Sequence, residues 1–372
     1  MSVLTQELLD RIRSRAAGYD RDNVFFDEDL AELKAAGYLT SRSLLESVRD
    51  QRLLAAYAPA TALAVNMHLV ITGIARVLHE RGDSSLDWVL ADAEAGELFA
   101  FGLSEPGNDL VLWDSLTTAG RVDGGYAFTG TKIFTSLAPV WTRLAVFGKQ
   151  TEGEGTEAGP RLVHGFLTRD TSGIEILDDW NMLGMRATQS NTTRLVGAVV
   201  PDARISRFLP VGPNADPFVF AVFANFLLLI GSVYTGIADR ALELAVEAVG
   251  RRGTMAGRPL ASEPDIRWRI ADAALALDAI GPDIEGLAAD VDGLVNHGGL
   301  WFRKLTGAKH RATETARVVV DQALRVAGGS GYRADGELAR LQRDVLAGIY
   351  HPSSTKSVHE VVATTLLGPV ES

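Results

Sequence analysis

The chain has 372 residues, no cysteine and a formal net charge of -11, with 36 Lys and Arg against 47 Asp and Glu. That length allows two or three structural units around sizeable cores. The acidic balance, without any Lys/Arg-rich run, argues against a nucleic-acid partner, because phosphates need clustered cations. The missing cysteines exclude disulfides, thiolate nucleophiles and Cys-ligated metals, and they fit a reducing cytoplasm.

In chain order, Met1 to Arg15 reads as a charged helix with no signal-peptide apolar core. LTQELLDRIRSRAAGY, DEDLAELKAAGY and LLESVRDQRLLAAY place apolar residues at helical spacing. Pro59-Ala60-Thr61 then opens a long helix, and a shorter one follows Gly82-Asp83. These make an N-terminal helical domain over 1–96. From Leu98 the period shortens: FAFGLS, DSLTTAGRV, YAFTGTKIFTS, RLAVFGK, RLVHGFLTR, GIEIL and TTRLVGAVV are β-branched or alternating runs separated by Gly-rich turns. They predict an antiparallel β-domain of about seven strands, ending near Pro201 within a unit spanning 97–211. Over 212–372 the pattern returns to helices and predicts a four-helix bundle. The helices run from Pro217 to Arg251, Glu263 to Asn296, Gly299 to Val326, Gly336 to Ile349 and Ser354 to Leu367. Helices, then strands, then helices define an α+β chain with segregated domains.

The uncharged run from Pro217 to Ala238 is long enough to span a bilayer. Asn225, Gly231, Ser232, Thr235 and Gly236 interrupt it, and it continues without a turn into the amphipathic ADRALELAVEAVGRR, which favours a helix buried in a bundle over a membrane span. The histidines other than His351, namely His68, His79, His164, His297, His310 and His359, show no metal-ligand spacing, so no metal is expected.

A set of junction motifs makes the architecture specific. Phe101-Gly102-Leu103-Ser104-Glu105-Pro106-Gly107, Lys132-Ile133-Phe134-Thr135-Ser136, Leu183-Gly184-Met185-Arg186-Ala187-Thr188 and Val199-Val200-Pro201 occur in that order. Gly236 to Leu242 with Arg251-Arg252, Gly328-Gly329-Ser330-Gly331-Tyr332 and Leu341-Gln342-Arg343-Asp344 follow. Together they resemble the acyl-CoA dehydrogenase superfamily over about 250 residues. The resemblance implies that fold, a flavin cofactor and a homodimer or homotetramer built by the C-terminal bundle. It implies flavin contacts from Leu103, Ser104, Phe134, Thr135 and Ser136, with Phe134 over a ring face and the Ser136 hydroxyl near N5 and O4. Arg252, Gly328 and Gly329 would meet the dinucleotide. The alternative for the glycines is an ordinary helix-ending turn. Pro264 and Arg325 stand where the family keeps glutamines, and the stretch after Arg252 lacks its Phe. FAD, FMN and a diffusible reduced flavin therefore all remain open.

The family's catalytic Glu follows an Ile-Tyr pair. Here Ile349-Tyr350 is followed by His351-Pro352, and Phe226 stands at the alternative position for that Glu. His351 resembles the histidine of the superfamily's flavin monooxygenases. A histidine with a pKa near neutrality suits a base or an aid to oxygen activation; a cap at the helix break before Pro352 is the other reading. His68, Phe223, Phe226 and Tyr234 are candidates for an apolar substrate pocket, with ordinary core packing as the alternative. Three functions are thus expected: oxidation or oxygenation of a small apolar substrate, dehydrogenation of an acyl thioester with a non-standard base, or a catalytically silent flavin-binding subunit.

Overall fold

The computed structural model describes residues 2–110, 112–251 and 259–368. Five helices open the chain: α1 (Gln6–Asp22), α2 (Asp27–Ala35), α3 (Leu44–Ala55), α4 (Pro59–Glu80) and α5 (Asp87–Glu94). Local chemistry sets their starts. The Thr5 hydroxyl accepts from Leu8 N at the head of α1, Ser43 and Glu46 form a reciprocal box at α3, and Pro59 occupies the first turn of α4.

Eight strands follow among the described residues: β1 (Phe99–Gly102), β2 (Thr118–Val122), β3 (Gly125–Lys132), β4 (Arg143–Gln150), β5 (Arg161–Thr168), β6 (Ile174–Ile176), β7 (Thr193–Pro201) and β8 (Ile205–Pro210). The sheet order is β6-β7-β3-β2-β4-β5-β8, and β1 pairs with β4. The main ladders are antiparallel as expected, but β1 lies parallel to β4, and β2 touches β4 in parallel at Thr118 and Lys149. The additional strand, β8, escapes the sequence pattern because Leu209 is its one buried side chain.

The C-terminal part holds α6 (Pro217–Gly250), α7 (Pro264–Asp278), α8 (Ile280–Asp292), α9 (Leu300–Ala327), α10 (Glu337–Val345) and α11 (Thr355–Leu367). The sequence predicts one helix from 263 to 296, whereas the chain breaks at Ala279. Pro282, just beyond, has no N–H for the carbonyl of Asp278, so the break carries no hydrogen-bond penalty there. Between α10 and α11 the chain tightens into a 3-10 turn at Leu346–Ile349.

Helix α6 is the spine of the molecule and packs against α9, α4 and α3. Where α3 crosses it, a Cβ on Gly236 would lie 2.2 Å from the Arg52 carbonyl oxygen, so only glycine permits the approach. Both α4 and α6 are apolar and long enough to cross a bilayer, but their apolar windows are mostly buried within the fold. That is how a core helix of a bundle reads.

Candidate functional site

The first motif leaves the sheet at Gly102. Glu105, buried, then gathers the loop around itself. Its Oε1 accepts from Lys132 Nζ at 2.6 Å, Ser115 Oγ at 2.7 Å and Thr117 N at 3.0 Å; its Oε2 accepts from Leu116 N and Asn108 Nδ2, both at 2.8 Å. Burial alone would raise this carboxyl, but the Lys132 ammonium and the surrounding donors hold it down at about 2, so the pair is ionised. Lys132 also donates to the Phe147 carbonyl at 2.7 Å. Ser104 is tied across by its own carbonyl, which accepts from Ile133 N at 2.9 Å. Leu103 is buried and Ser104 half-buried beside this clamp.

Beyond Lys132 the chain turns sharply. Phe134 sits in the left-handed region at φ 56 and leaves 47% of its surface exposed, with its ring edge-on to Trp180. A bulky residue rarely adopts that conformation, and a half-exposed phenylalanine forgoes burial as well. Next to it, the Thr135 hydroxyl is buried without a hydrogen-bond partner. A polar group brought against this turn would satisfy it. The Ser136 Oγ lies 2.7 Å from Ser190 Oγ, which is 2.7 Å from Thr188 Oγ1, and Thr188 donates to the Met185 carbonyl at 2.9 Å.

That hydroxyl chain leads to the helical part. The Met185 amide donates to Asp344 Oδ1 at 2.5 Å, and a Cβ on Gly184 would fall 2.3 Å from the Arg343 carbonyl oxygen. Burial pushes the Asp344 carboxyl up to about 6.

Seven residues on stands His351. Its Nε2 lies 2.8 Å from the hydroxyl of Tyr234, which is fully buried in α6. The segment reaches Tyr234 through Gly348, where a Cβ would meet the tyrosine ring at 2.9 Å. Lys309 on α9 fixes the loop: its buried ammonium donates to the carbonyls of Gly348, His351 and Ser353 at 3.2, 2.9 and 3.1 Å. The imidazole does not have the near-neutral pKa expected from sequence. Desolvation, assisted by the Lys309 charge, lowers it to about 3, so His351 is uncharged at physiological pH.

Phe223 and Phe226 face the β-domain rather than each other. Phe226 stacks with Phe101 of β1 at 5.7 Å, and Phe223 stacks with Trp113 at 5.8 Å and meets Phe302 of α9 edge-on at 5.1 Å. All five rings are half-buried and form an apolar seam beside the Leu103–Ser104 strand end. His68 takes no part. Its Nε2 meets the Leu39 carbonyl at 2.8 Å, its Nδ1 accepts from Phe99 N at 3.2 Å, and burial lowers its pKa to about 4. Both ring nitrogens are engaged by backbone, so it pins β1 to α4 instead of facing a cavity.

The structure therefore links Ser136 to Asp344 on α10 through Ser190, Thr188 and Met185, and His351 to Tyr234 by a separate bond. Gly328 and Gly329 are exposed at the end of α9, where Gly328 terminates the helix at φ 60. Arg252 lies outside the described residues. Sequence reading missed Glu105 and Lys132 as a pair, and Lys309 entirely. A half-exposed phenylalanine at a turn and a buried threonine hydroxyl without a protein partner suit a flat heterocycle with a hydrogen-bonding edge.

Helices around a mostly antiparallel sheet, with these junctions, define the acyl-CoA dehydrogenase fold. A crystal structure of KijD3, in complex with FMN and a dTDP-linked amino-keto sugar, superposes with a TM-score of 0.85 at 25% identity and covers 98% of this chain and 92% of that one. The family model described as acyl-CoA dehydrogenase, C-terminal domain, matches residues 228–355. The putative acyl-CoA dehydrogenase YdbM of Bacillus subtilis is 26% identical over 383 aligned positions, covering 96% of this chain and 94% of YdbM. The amino sugar nitrososynthase RubN8 of Streptomyces rubradiris is 31% identical over 244, covering 62% of this chain. That match spans 55% of RubN8, just over half its length. Residues 228–355 thus carry an acyl-CoA dehydrogenase C-terminal domain, and the chain as a whole has the fold of that superfamily.

Proposed function

We propose that this chain is a flavin-dependent oxidoreductase that oxygenates a small apolar substrate. The observation that carries the proposal is the neutral His351, bonded to Tyr234, at the position where the family's dehydrogenases keep an ionised carboxylate. A neutral imidazole held at about 3 is a poor acceptor for an unactivated α-proton, because the base strength of a group follows its pKa.

FAD, FMN or reduced flavin taken up from solution would supply the redox chemistry, including oxygen activation in the reduced form. In this reading Leu103 and Ser104 meet the pyrimidine edge of the ring system, Phe134 covers a face, and the Thr135 and Ser136 hydroxyls meet its polar edge. Gly328, Gly329 and Arg252 take the phosphates. Phe223 and Phe226, with Phe101 and Trp113, exclude water and hold the apolar body of the substrate. His351, held by Tyr234, stands against the reacting atoms of the substrate. The likeness to an amino sugar nitrososynthase favours an amine nitrogen as the atom oxygenated.

Homo-oligomerisation is part of the same reading. Trp268 and Leu275 on α7 and Leu366 and Leu367 on α11 leave the C-terminal helices with exposed apolar side chains. The lack of cysteine suits the cytoplasm. A second reading, dehydrogenation of an acyl thioester, is favoured by the end-to-end likeness to YdbM.

Reconstitution separates the two. With reduced flavin, dioxygen and a panel of small amines, product should carry the label from ¹⁸O₂. Anaerobic bleaching of the oxidised flavin by acyl-CoA thioesters, with no need for oxygen, would replace the oxygenase by the dehydrogenase. Bound flavin with neither activity would leave a silent subunit.

A further inference from the structure

The contact between His351 and Tyr234 fixes more than a position. Tyr234 is fully buried at the middle of α6, and among the described residues its hydroxyl has one hydrogen-bond partner, His351 Nε2 at 2.8 Å. A phenol carries one proton to place, and an O–H buried without an acceptor is costly, whereas an oxygen that accepts nothing is tolerated more easily. If Nε2 carried the imidazole proton, it would donate to the phenol oxygen, and the phenol proton would have no acceptor. With Nε2 unprotonated, both groups are satisfied by one bond. The other ring nitrogen must then hold the proton of the neutral imidazole.

The charges around the pair act in the same direction. Lys309, packed beneath the loop from α9, opposes imidazolium formation. Burial, with Asp344 on α10 adding to it, opposes ionisation of Tyr234. The phenol therefore keeps its proton and the imidazole does not gain a second. The loop cannot slide to release the contact, since Gly348 is seated on the Tyr234 ring and Lys309 holds carbonyls on either side. His351 Nδ1 has no protein partner among the described residues, and the residue is half-buried.

We propose that Tyr234 is a positioning residue that locks His351 in the Nδ1–H tautomer, so that His351 serves the reaction as a hydrogen-bond donor through Nδ1 and not as a base. This rests on the reading of His351 as part of the active site. A donor at that point stabilises negative charge developing on oxygen as a bond to the substrate forms, and it needs no proton from solvent beforehand.

The test uses the full-length, flavin-reconstituted protein with ¹³C,¹⁵N-labelled histidine in solid-state NMR at pH 7. The His351 signals are identified as those lost in His351→Asn. Expected are a protonated Nδ1 and an unprotonated Nε2, assigned through Cγ and Cδ2, and loss of that preference in Tyr234→Phe. A protonated Nε2, an imidazolium, or an unchanged tautomer in Tyr234→Phe overturns the proposal. These spectra need no substrate, so they stand or fall separately from the proposed reaction. Turnover supplies the second arm. The amide of Asn places an N–H near the Nδ1 position and that of Gln near Nε2, so His351→Asn should keep activity within about tenfold while His351→Gln loses about a hundredfold or more. Equal or better rates for Gln overturn the donor role. Loss in neither variant, with the tautomer as expected, would instead remove His351 from the active site.

Discussion

Lys132 and Lys309 are both buried, and burial lowers both ammonium groups to about 8, yet their surroundings differ. Lys132 at the end of β3 meets a carboxylate, and together the two charges organise the loop from Ser104 to Thr117. Lys309 on α9 meets three carbonyls, with no carboxylate in ion-pair reach among the described residues. The first arrangement cancels charge and holds the strand-side half of the site rigid. The second leaves a net positive charge under His351, which helps keep that ring neutral. One residue type thus builds the frame in one domain and sets the electrostatics in the other.

The largest effect should come from breaking the paired case. Glu105→Ala leaves the Lys132 ammonium buried without compensation and strips four other donors of their acceptor. Denaturant unfolding should show a loss of about 3–5 kcal/mol, and a loss below about 1 kcal/mol would mean that the pair does not hold the loop.

The unpaired case is sharpened by pH. Lys309 has a folded pKa of about 8 against an ordinary 10.5, so the unfolded chain binds more protons between those values. Stability should therefore rise with pH across that window, by up to about 3 kcal/mol for this group. Lys309→Met should remove its share of the slope, leaving that of Lys132. Parallel stability curves for wild type and variant would contradict the assignment.

The smallest effect concerns the link between the halves. Ser190→Ala deletes the bridge between Ser136 and Thr188, and calorimetry should register a loss of about 1 kcal/mol. Flavin affinity should weaken with it if Ser136 faces the ring.

Much of this was legible in the residues. The change from helical to alternating period at Leu98 marks the β-domain, and the motif from Phe101 to Gly107 leads to the strand end where Ser104 and Glu105 lie. What stayed hidden depends on distance along the chain. Glu105 and Lys132 are both inside quoted motifs, but nothing in either motif says that they pair. Lys309 did leave a signal: it falls four residues after Leu305 on the same buried stripe as Ala312 and Ala316, where a lysine is out of place. His310 and His359 meet at 5.7 Å from different helices, a contact invisible to local spacing. His68 was misread because an apolar helix shows that a histidine is buried and not which backbone groups it serves.

The backbone contact of Gly184 with Arg343 and the Met185–Asp344 bond have a practical consequence for protein engineering. The β-domain and α10 are mated by a close main-chain approach at Gly184, where a side chain has no room, and by the Asp344 carboxylate on the Met185 amide. A chimera that transplants the β-domain into a relative must carry α10 along with it. The aromatic seam of Phe101, Trp113, Phe223 and Phe226 is made by other residues and can be varied without touching that joint.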